Sequence, residues 1–408
     1  MSEPLTVFDL VVAGAGPVGL ALAAAVKQAL GPGAAVALVD PARSEREKSP
    51  PLRTIAIAEG PRLFFERLGA WETIARQAQP ILAMDIMDGR AQDAVRLPHL
   101  HFEARRQTAL AHMVFNADVV AAVASLCDRL GVMRLAASVS GWRPGGRVAA
   151  VSLSDGRTLH ARLAVAADGA NSKLRKLADI PVFGWDYDQA GIVATVGHER
   201  DHKGRAEQHF LPAGPFAILP LPGRRSSIVW NESRADAGAL IGLDPGELLR
   251  RLELRFTARL GEIRLASRVE AFPFRFQIAR RFVGERLALV GDAAHLVHPL
   301  AGQGVNLGLR DAAALAETIV AEMRLGLDPG ATEALGSYQR RRRFDIAASG
   351  MGMDVMNRLF SNELEPLRLL RDLGLRVVDS APWLKELLIA EASGASSGAP
   401  RLLRGLAL

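Results

Sequence analysis

The sequence predicts an α/β fold in which a domain of βα units is interleaved with an antiparallel-sheet domain and followed by C-terminal helices. Three observations predict it. At residues 8–30 and again at 287–319, an apolar run of strand type passes through a glycine-rich turn into a helical pattern. Residues 181–274 carry short alternating runs separated by turns, which is typical of antiparallel sheet. After the second glycine-rich turn the pattern is helical to the end of the chain.

The composition is that of an ordinary globular protein large enough for two domains. The chain has 408 residues, of which 49% are apolar and 23% charged. Its net charge of +6 is compatible with anionic lipid, a phosphorylated cofactor or nucleic acid. Aromatic residues are only 5%, and no basic run is interleaved with stacking side chains, so we predict no nucleic-acid partner. The single cysteine, Cys127, excludes an intrachain disulfide and indicates a reducing compartment.

The apolar residues 10–30 belong to the fold and are not a signal peptide. No lysine or arginine precedes them, and Gly14, Gly16, Pro17 and Gly19 interrupt the run. No other window offers the roughly 18 uninterrupted apolar residues of a spanning helix. We therefore expect a cytoplasmic protein whose contact with the inner membrane, if it has one, is peripheral.

The first βα unit carries a nucleotide-binding fingerprint. The apolar run FDLVVA is followed by GAGPVG and a helix-forming stretch, so Gly14, Gly16 and Gly19 match the G-x-G-x-x-G pattern of a Rossmann-like fold. These glycines make the turn tight, admit a pyrophosphate and let the helix close on the strand. A second apolar strand, 35–39, ends in Asp40, where an acid accepts hydrogen bonds from ribose hydroxyls.

Two further positions carry charged side chains near this fold, and both have two interpretations. Arg53 follows the charged loop PARSEREKSPPL and either reaches back to the pyrophosphate or ring system of the ligand or belongs to a solvated basic loop. The strand 163–167 ends in Asp168-Gly169, which is either part of the nucleotide site or an Asp-Gly turn with a helix cap.

The stretch 287–310, LALVGDAAHLVHPLAGQGVNLGLR, is the second strand, glycine-rich loop and helix. Its strand breaks at Gly291-Asp292, and a helical apolar face resumes from Asn306. This order of elements aims backbone N–H groups and a positive dipole end at one point, which favours an anion. Gly302 and Gly304 let a flat ligand lie against the backbone; a tight turn with glycines for geometry alone is the other interpretation.

Together and in this order, the three acid-and-glycine elements resemble the FAD-dependent aromatic hydroxylases typified by p-hydroxybenzoate hydroxylase. More narrowly, AHLVHPLAGQGVNLGLRD, YQRRRRFD and the sheet segment FLPAGPFAILPL with Val229-Trp230 are similar to the ubiquinone-biosynthesis hydroxylase branch. The resemblance implies that Gly14, Gly16, Gly19 and Asp40 hold the ADP half of FAD. It also implies cofactor contacts, along the pyrophosphate, the ribityl chain and the isoalloxazine, for Arg53, Asp168, Gly291, Asp292, Pro299, Gly302, Gln303, Gly304, Val305 and Asn306.

The resemblance further implies the chemistry. In these enzymes reduced FAD and O2 form a flavin C4a-hydroperoxide that hydroxylates an aromatic ring, here a polyprenyl-phenol intermediate in ubiquinone biosynthesis. The sequence names no catalytic base, and the pair His295 and His298, without nearby cysteine, predicts no metal site. Only one nucleotide fingerprint is present, so the reductant is NAD(P)H in transient docking or a protein electron donor.

An apolar substrate calls for a membrane surface or other ubiquinone-biosynthesis proteins to present it. The arginines of YQRRRRFD, 338–345, are the candidate contact, and a solvated helix face is the alternative. Two other functions stay open: a related flavoenzyme with another substrate, such as a soluble phenol, and a flavin-binding assembly subunit without turnover.

The expected domain division is discontinuous. Residues 1–80, 115–180 and 276–335 would form the FAD-binding domain, 81–114 and 181–275 the substrate-binding sheet domain, and 336–408 a C-terminal helical region.

Overall fold

The structure is a computed structural model that describes residues 6–41, 53–88, 100–104, 108–211, 213–256, 258–297, 304–360, 393–394 and 398–408. The α-helices in these ranges are α1 (Pro17–Leu30), α2 (Glu59–Leu68), α3 (Trp71–Ala75), α4 (Asn116–Leu130), α5 (Lys173–Leu177), α6 (Arg234–Ile241), α7 (Pro245–Glu253), α8 (Gly304–Arg324) and α9 (Thr332–Phe360).

One sheet carries the βα units, and its central strands are parallel. Its strands are β1 (Val7–Ala13), β2 (Val36–Val39), β8 (Met133–Leu135), β9 (Val139–Arg143), β10 (Ala149–Leu153), β11 (Thr158–Ala166), β18 (Val283–Gly284) and β19 (Leu287–Leu289). The main path runs β18-β19-β11-β1-β2-β8, with β9 and β10 continuing from β11. Strand β1 lies between β2 and β11 and pairs in parallel with both. Helix α1 packs on α4 and α8, and from Leu10 to Ala13 the strand is buried and continuously apolar.

A second sheet is antiparallel apart from one pair. It contains β5 (Ala83–Asp88), β6 (Leu100–Glu103), β12 (Val182–His198), β13 (Arg205–Leu211), β14 (Gly214–Leu221), β15 (Arg225–Ser233), β16 (Ile263–Leu265), β17 (Glu270–Ala279) and β20 (His295–Leu296). The main path is β20-β17-β12-β15-β14-β13-β5-β6, and only β13 with β5 is parallel in it. This confirms the predicted antiparallel texture between residues 181 and 274.

Strand β12 is longer than the sequence indicates. The alternating pattern predicts a strand over residues 190–196, but pairing with β17 extends it back to Val182 across an irregularity between Asp186 and Ala190. The first half of the strand is largely exposed, so hydrophobic alternation does not mark it.

A small third sheet consists of β3 (Thr54–Ala58), β4 (Gln79–Ile81) and β7 (Ala111–Phe115), with β7 in the middle. Strands β5 and β6 thus join the antiparallel sheet, whereas β7 pairs with β3. The division of the chain into domains stays a prediction.

Helices α8 and α9 pack together, and the 3-10 helix Arg401–Arg404 returns to contact α2. Within the described ranges, none of the helices combines the length with the apolar character needed to traverse a bilayer.

Candidate active site

The glycine fingerprint forms the turn between β1 and α1. Gly14 has φ +109°, and a Cβ added to it would lie 2.2 Å from the Ala167 carbonyl oxygen. A Cβ on Gly19 would lie 2.1 Å from the Gly14 carbonyl oxygen. Gly16 is different, because a Cβ there would meet no atom of the described residues within 4 Å. Packing therefore requires glycine at 14 and 19, whereas the space beside Gly16 is open to a ligand.

Asp40 lies over this turn, as the fingerprint predicts. Its side chain is buried, and its Oδ2 accepts a hydrogen bond of 2.6 Å from the backbone N–H of Ala15. Helix α1 begins next to it with Pro17 in the first turn and without a side-chain cap. The uncapped N–H groups and the positive dipole end of α1 are therefore directed at the turn.

Asp168 follows β11 and has two different carboxylate oxygens. Its Oδ2 accepts hydrogen bonds from the backbone N–H groups of Lys173 at 2.7 Å and Leu174 at 3.3 Å, so it orders the start of α5. Its Oδ1 is buried and has no hydrogen-bond partner among the described residues. The helix-cap interpretation is thus correct for one oxygen, and the second oxygen is left for another donor.

Arg175, for which we predict no role from the sequence, joins two of the acid-and-glycine elements. Its guanidinium donates to the carbonyl oxygens of Ala170 and Ala293, each at 2.8 Å. These carbonyls lie just after Asp168 and Asp292. Burial lowers the pKa of the Arg175 guanidinium, which the Asp168 charge partly offsets. No sequence pattern distinguishes this arginine from its exposed neighbour Lys176.

Gly291 and Asp292 lie in the 3-10 helix Gly291–Ala293, directly after β19. Gly291 has φ +60°, which explains the glycine. Burial raises the pKa of the Asp292 carboxyl, and the charges of Arg53 and His295 oppose that rise. Arg53 and Asp292 line the same cavity, so the structure brings these two predicted residues together.

The start of α8 is fixed to β3 by Asn306. The side-chain Nδ2 donates to the Ala56 carbonyl oxygen at 2.8 Å, and Oδ1 accepts from the Ala58 N–H at 3.1 Å. Gly304 and Val305 also line the cavity. Asn306 therefore positions the helix terminus through its side chain.

The predicted loop residues Pro299, Gly302 and Gln303, and also His298, lie outside the described residues.

Asp311, His295 and Arg342 form a buried ionic cluster that contacts the turn at Gly291. The Asp311 carboxylate is 2.6 Å from His295 Nε2, 2.7 Å from Arg342 Nε and 2.9 Å from the Gly291 N–H that donates to it. Burial alone would raise the pKa of Asp311, but the charges and hydrogen bonds of His295 and Arg342 hold it below its usual range. In the described part of the chain, no cluster of His, Cys, Asp or Glu suits a metal ion.

Arg342 is buried and so departs from both interpretations of the arginine segment, a solvated face and a surface contact. Arg340, Arg341 and Arg343 are exposed, whereas Arg342 is 0% exposed. A signal was available in the sequence, because Arg342 shares a helical face with the apolar positions Leu335, Tyr338 and Ile346. These residues are buried as well, and the Tyr338 hydroxyl donates to the Leu289 carbonyl oxygen at 2.8 Å.

A cavity of about 640 Å³ connects these elements with the antiparallel sheet. Arg53, Asp292 and Asn306 line one side of it. The other side is a row of residues across neighbouring strands, in the order Gln208, Ala217, Val229 and Val193. The cavity is lined mainly by apolar atoms with few polar groups, as in small-molecule sites.

The residues present fit FAD, the cofactor that the sequence resemblance implies. There is open space beside Gly16 at an uncapped helix N-terminus, which suits a pyrophosphate. The unpartnered Oδ1 of Asp168 and the desolvated carboxyl of Asp292 both suit hydroxyl donors such as those of a ribose or ribityl chain.

Comparisons with known proteins agree with this fit. Residues 7–348 match the family of the FAD binding domain. The chain is 40% identical to the ubiquinone hydroxylase UbiL of Rhodospirillum rubrum, over 98% of this chain and 94% of the relative. It is 32% identical to the 3-demethoxyubiquinol 3-hydroxylase of Escherichia coli, over 95% of this chain and 98% of the relative.

Solved structures show the same fold. The p-nitrophenol 4-monooxygenase PnpA of Pseudomonas putida superposes with a TM-score of 0.77 over 96% of this chain and all of that one, at 19% identity. The match to the family model covers most of the chain, and the similarity to the UbiL protein covers nearly all of it. The chain therefore belongs to the FAD-binding family that includes the ubiquinone hydroxylases, and it is an FAD-dependent monooxygenase.

Proposed function

We propose that this chain hydroxylates the aromatic ring of a polyprenylated phenol in ubiquinone biosynthesis, with FAD as cofactor and O2 as the source of oxygen. The observation that carries the proposal is the cavity between the predicted cofactor residues and the apolar face of the antiparallel sheet. The names of the Rhodospirillum rubrum and Escherichia coli relatives support the choice of pathway.

In this proposal the glycine turn and Asp40 bind the ADP half of FAD, and Asp168 lies near the pyrophosphate. The ribityl chain and the isoalloxazine would contact a second group, formed by Arg53, Gly291, Asp292, Pro299, Gly302, Gln303, Gly304, Val305 and Asn306. FAD, when bound, supplies the activation of O2 and the transfer of its oxygen atom to the ring. NAD(P)H would dock transiently to reduce it.

The chain contributes positioning and exclusion of water. Helix α8 begins at the cavity with Gly304, so its N-terminal N–H groups and dipole stabilise negative charge on a reduced ring system. Asn306 holds that helix end against β3. The apolar row of Ala217, Val229 and Val193 keeps water from the reacting ring, where it would divert oxygen from the substrate.

The rim of the cavity favours a prenylated substrate over a small soluble phenol. Phe272 lines the cavity and is also 46% exposed, so an apolar edge reaches from the interior to the surface. A ring held inside would leave its hydrocarbon chain beside this edge, where contact with apolar side chains is favourable.

Delivery of such a substrate calls for a membrane surface or partner proteins. The candidate contact is now Arg340, Arg343 and Phe344 of α9, all of them exposed, because Arg342 is buried in the ionic cluster. Replacing Arg340 and Arg343 by glutamate should reduce co-sedimentation with anionic lipid vesicles and leave binding to neutral vesicles unchanged.

The test is a single turnover, which removes the unknown electron donor from the experiment. Purified holoenzyme is photoreduced without oxygen, mixed with a phenol carrying one short isoprenyl chain, and then exposed to O2. We expect a singly hydroxylated product, with much less product from the same phenol without the prenyl group. Greater conversion of the unprenylated phenol would favour a hydroxylase of soluble phenols. Oxidation of bound flavin without product from either phenol would favour an assembly subunit.

A further inference from the structure

Asn231 is a polar side chain on the apolar sheet wall of the cavity. It lies on β15, where Val229 and Asn231 line the cavity and Trp230 between them is buried in a separate hydrophobic cluster behind the sheet. Successive side chains of a strand point to opposite faces, so the register fixes Asn231 on the cavity face.

The amide oxygen of Asn231 is buried and unpartnered among the described residues. The residue is 4% exposed, and its Oδ1 has no hydrogen-bond partner within the described ranges. An asparagine amide can make up to four hydrogen bonds, and a buried amide atom without one destabilises the folded protein. A group of this kind at a cavity wall is explained if a ligand completes its hydrogen bonding.

Two glycines, a phenyl ring and the side chain of Gln189 lie around the Asn231 amide. A Cβ added to Gly191 would lie 2.5 Å from the Phe274 ring and 3.6 Å from Asn231 Oδ1. A Cβ added to Gly214 would lie 2.9 Å from the Asn231 Cβ. Gly191 and Gly214 thus lie beside the Asn231 side chain, and the Gln189 side-chain nitrogen lies in the same place, 3.3 Å from the Cβ position of Gly214.

The other polar groups that line the sheet side differ from Asn231. Glu270 pairs with Arg268 at 2.7 Å, and Arg275 pairs with Asp186 at 2.6 Å. Gln208 also carries an amide on this wall, but among the described residues its amide atoms do not count as both fully buried and unpartnered.

We propose that the Asn231 carboxamide hydrogen-bonds an oxygen substituent of the substrate ring and thereby fixes which ring carbon faces the cofactor. This inference rests on the proposed function and names the group that orients its substrate. A half-turn about the Cβ–Cγ bond exchanges the amide oxygen and nitrogen, so the side chain accepts from a hydroxyl or donates to a carbonyl or methoxy oxygen. Because an amide does not titrate, Asn231 orients the ring and does not deprotonate it.

The experiment compares two ligands that differ only in the ring oxygen. A phenol with one short isoprenyl chain and the corresponding prenylbenzene are titrated into oxidised holoenzyme, and binding is followed by the change in flavin absorption. The proteins are the wild type, Asn231→Leu, which has similar volume and no amide, and Asn231→Ser, which keeps a hydroxyl. Gln208→Leu is the matched control, since it removes the other amide of the same wall.

We expect the wild type and Gln208→Leu to bind the phenol at least about tenfold more tightly than the hydrocarbon, because a site built for a hydroxyl rejects a ligand without one. Asn231→Leu should reduce this ratio to about twofold or less, and Asn231→Ser should restore part of it. Flavin content and the unfolding midpoint of each variant show that it is folded.

Two outcomes would overturn the assignment: an Asn231→Leu protein that keeps the wild-type preference for the phenol, or a wild type that has no preference. The single-turnover assay separates this result from the proposed function. If the wild type forms the hydroxylated product but Asn231→Leu still prefers the phenol, the hydroxylase function stands and the role of Asn231 is refuted. If the preference for the phenol depends on Asn231 but no product forms, the role of Asn231 stands and the hydroxylase function is refuted.

Discussion

Asp311 and Arg342 form an ion pair in which neither side chain is exposed, with 2.7 Å between Oδ1 and Nε. The pair joins α8 to α9, and through the second oxygen of Asp311 it also holds Gly291 and His295. A buried pair of this kind is costly to break from one side, because the remaining charge stays desolvated without a partner.

We predict that Arg342→Met lowers the free energy of unfolding by about 3–5 kcal/mol. It should also weaken FAD binding, because the turn at Gly291 loses its support. The measurement is urea unfolding together with the flavin content of the purified protein. Arg343→Met is the control, since Arg343 is the exposed neighbour on the same helix. Equal unfolding midpoints for the two variants would contradict a structural role of the pair.

Substitutions at two fingerprint glycines, Gly16 and Gly14, should affect cofactor binding and folding stability separately. Gly16→Ala should leave the stability of the FAD-free protein within about 0.5 kcal/mol of the wild type, since the added methyl group contacts none of the described residues. It should nevertheless weaken FAD binding by at least about tenfold, because the methyl group occupies the space proposed for the pyrophosphate. Gly14→Ala should instead destabilise the folded protein itself, since its Cβ would overlap the Ala167 carbonyl oxygen.

Fluorescence titration of FAD into each apoprotein, together with urea unfolding, distinguishes these two glycines. Unchanged FAD affinity in Gly16→Ala would show that the pyrophosphate lies elsewhere.

The Asn306 side chain should be needed for the attachment of α8 to β3. Asn306→Leu leaves the Ala56 carbonyl and the buried Ala58 N–H without their partner, which should cost about 2–4 kcal/mol of stability. Asn171→Leu is the control, because Asn171 is exposed on the protein surface. Thermal or urea unfolding measures both variants, and a loss in Asn306→Leu no larger than in the control would refute the attachment.

Asp292 should make the FAD-free protein sensitive to rising pH. Burial raises the pKa of its carboxyl in the folded state above the unfolded value of about 3.9. The stability it contributes is then fully present below the unfolded pKa and is lost as the pH rises through the folded pKa. Asp292→Asn should remove this loss, so the variant apoprotein becomes more stable than the wild type above about pH 4.

The check on Asp292 is the difference in unfolding free energy between the two apoproteins across the acid to neutral range. A difference that does not change with pH would be evidence against a desolvated carboxyl. FAD affinity should fall in the same variant if Asp292 binds the ribityl chain.

The sequence predicts the parts of this protein that depend on local pattern. The first βα unit and the antiparallel region agree with the structure because hydrophobic period and glycine position are local signals. Asp40 lies against the glycine turn because parallel strands bring their carboxyl ends to one edge, and its contact with the ribose stays a prediction.

Contacts between side chains of distant segments could not be predicted from the sequence. The partner of Arg342 lies 31 residues away and the carbonyl bound by Arg175 lies 118 residues away, so no short pattern identifies them. The role of Asn231 is harder to predict from the sequence. Its distinguishing feature is an amide oxygen that has no partner among the described residues, in a cavity formed by separate strands. Only packing of the complete chain shows which polar groups are left for a ligand.

The most direct test of the central claim is the origin of the oxygen in the product. Holoenzyme, NAD(P)H and a short-chain prenylated phenol are incubated under isotopically labelled dioxygen in unlabelled water, and the product is measured by mass spectrometry. We predict one labelled oxygen on the aromatic ring, formed in step with consumption of the nicotinamide. Oxygen derived from water, or oxidation of the nicotinamide to hydrogen peroxide without any ring product, would contradict the assignment of a ring hydroxylase.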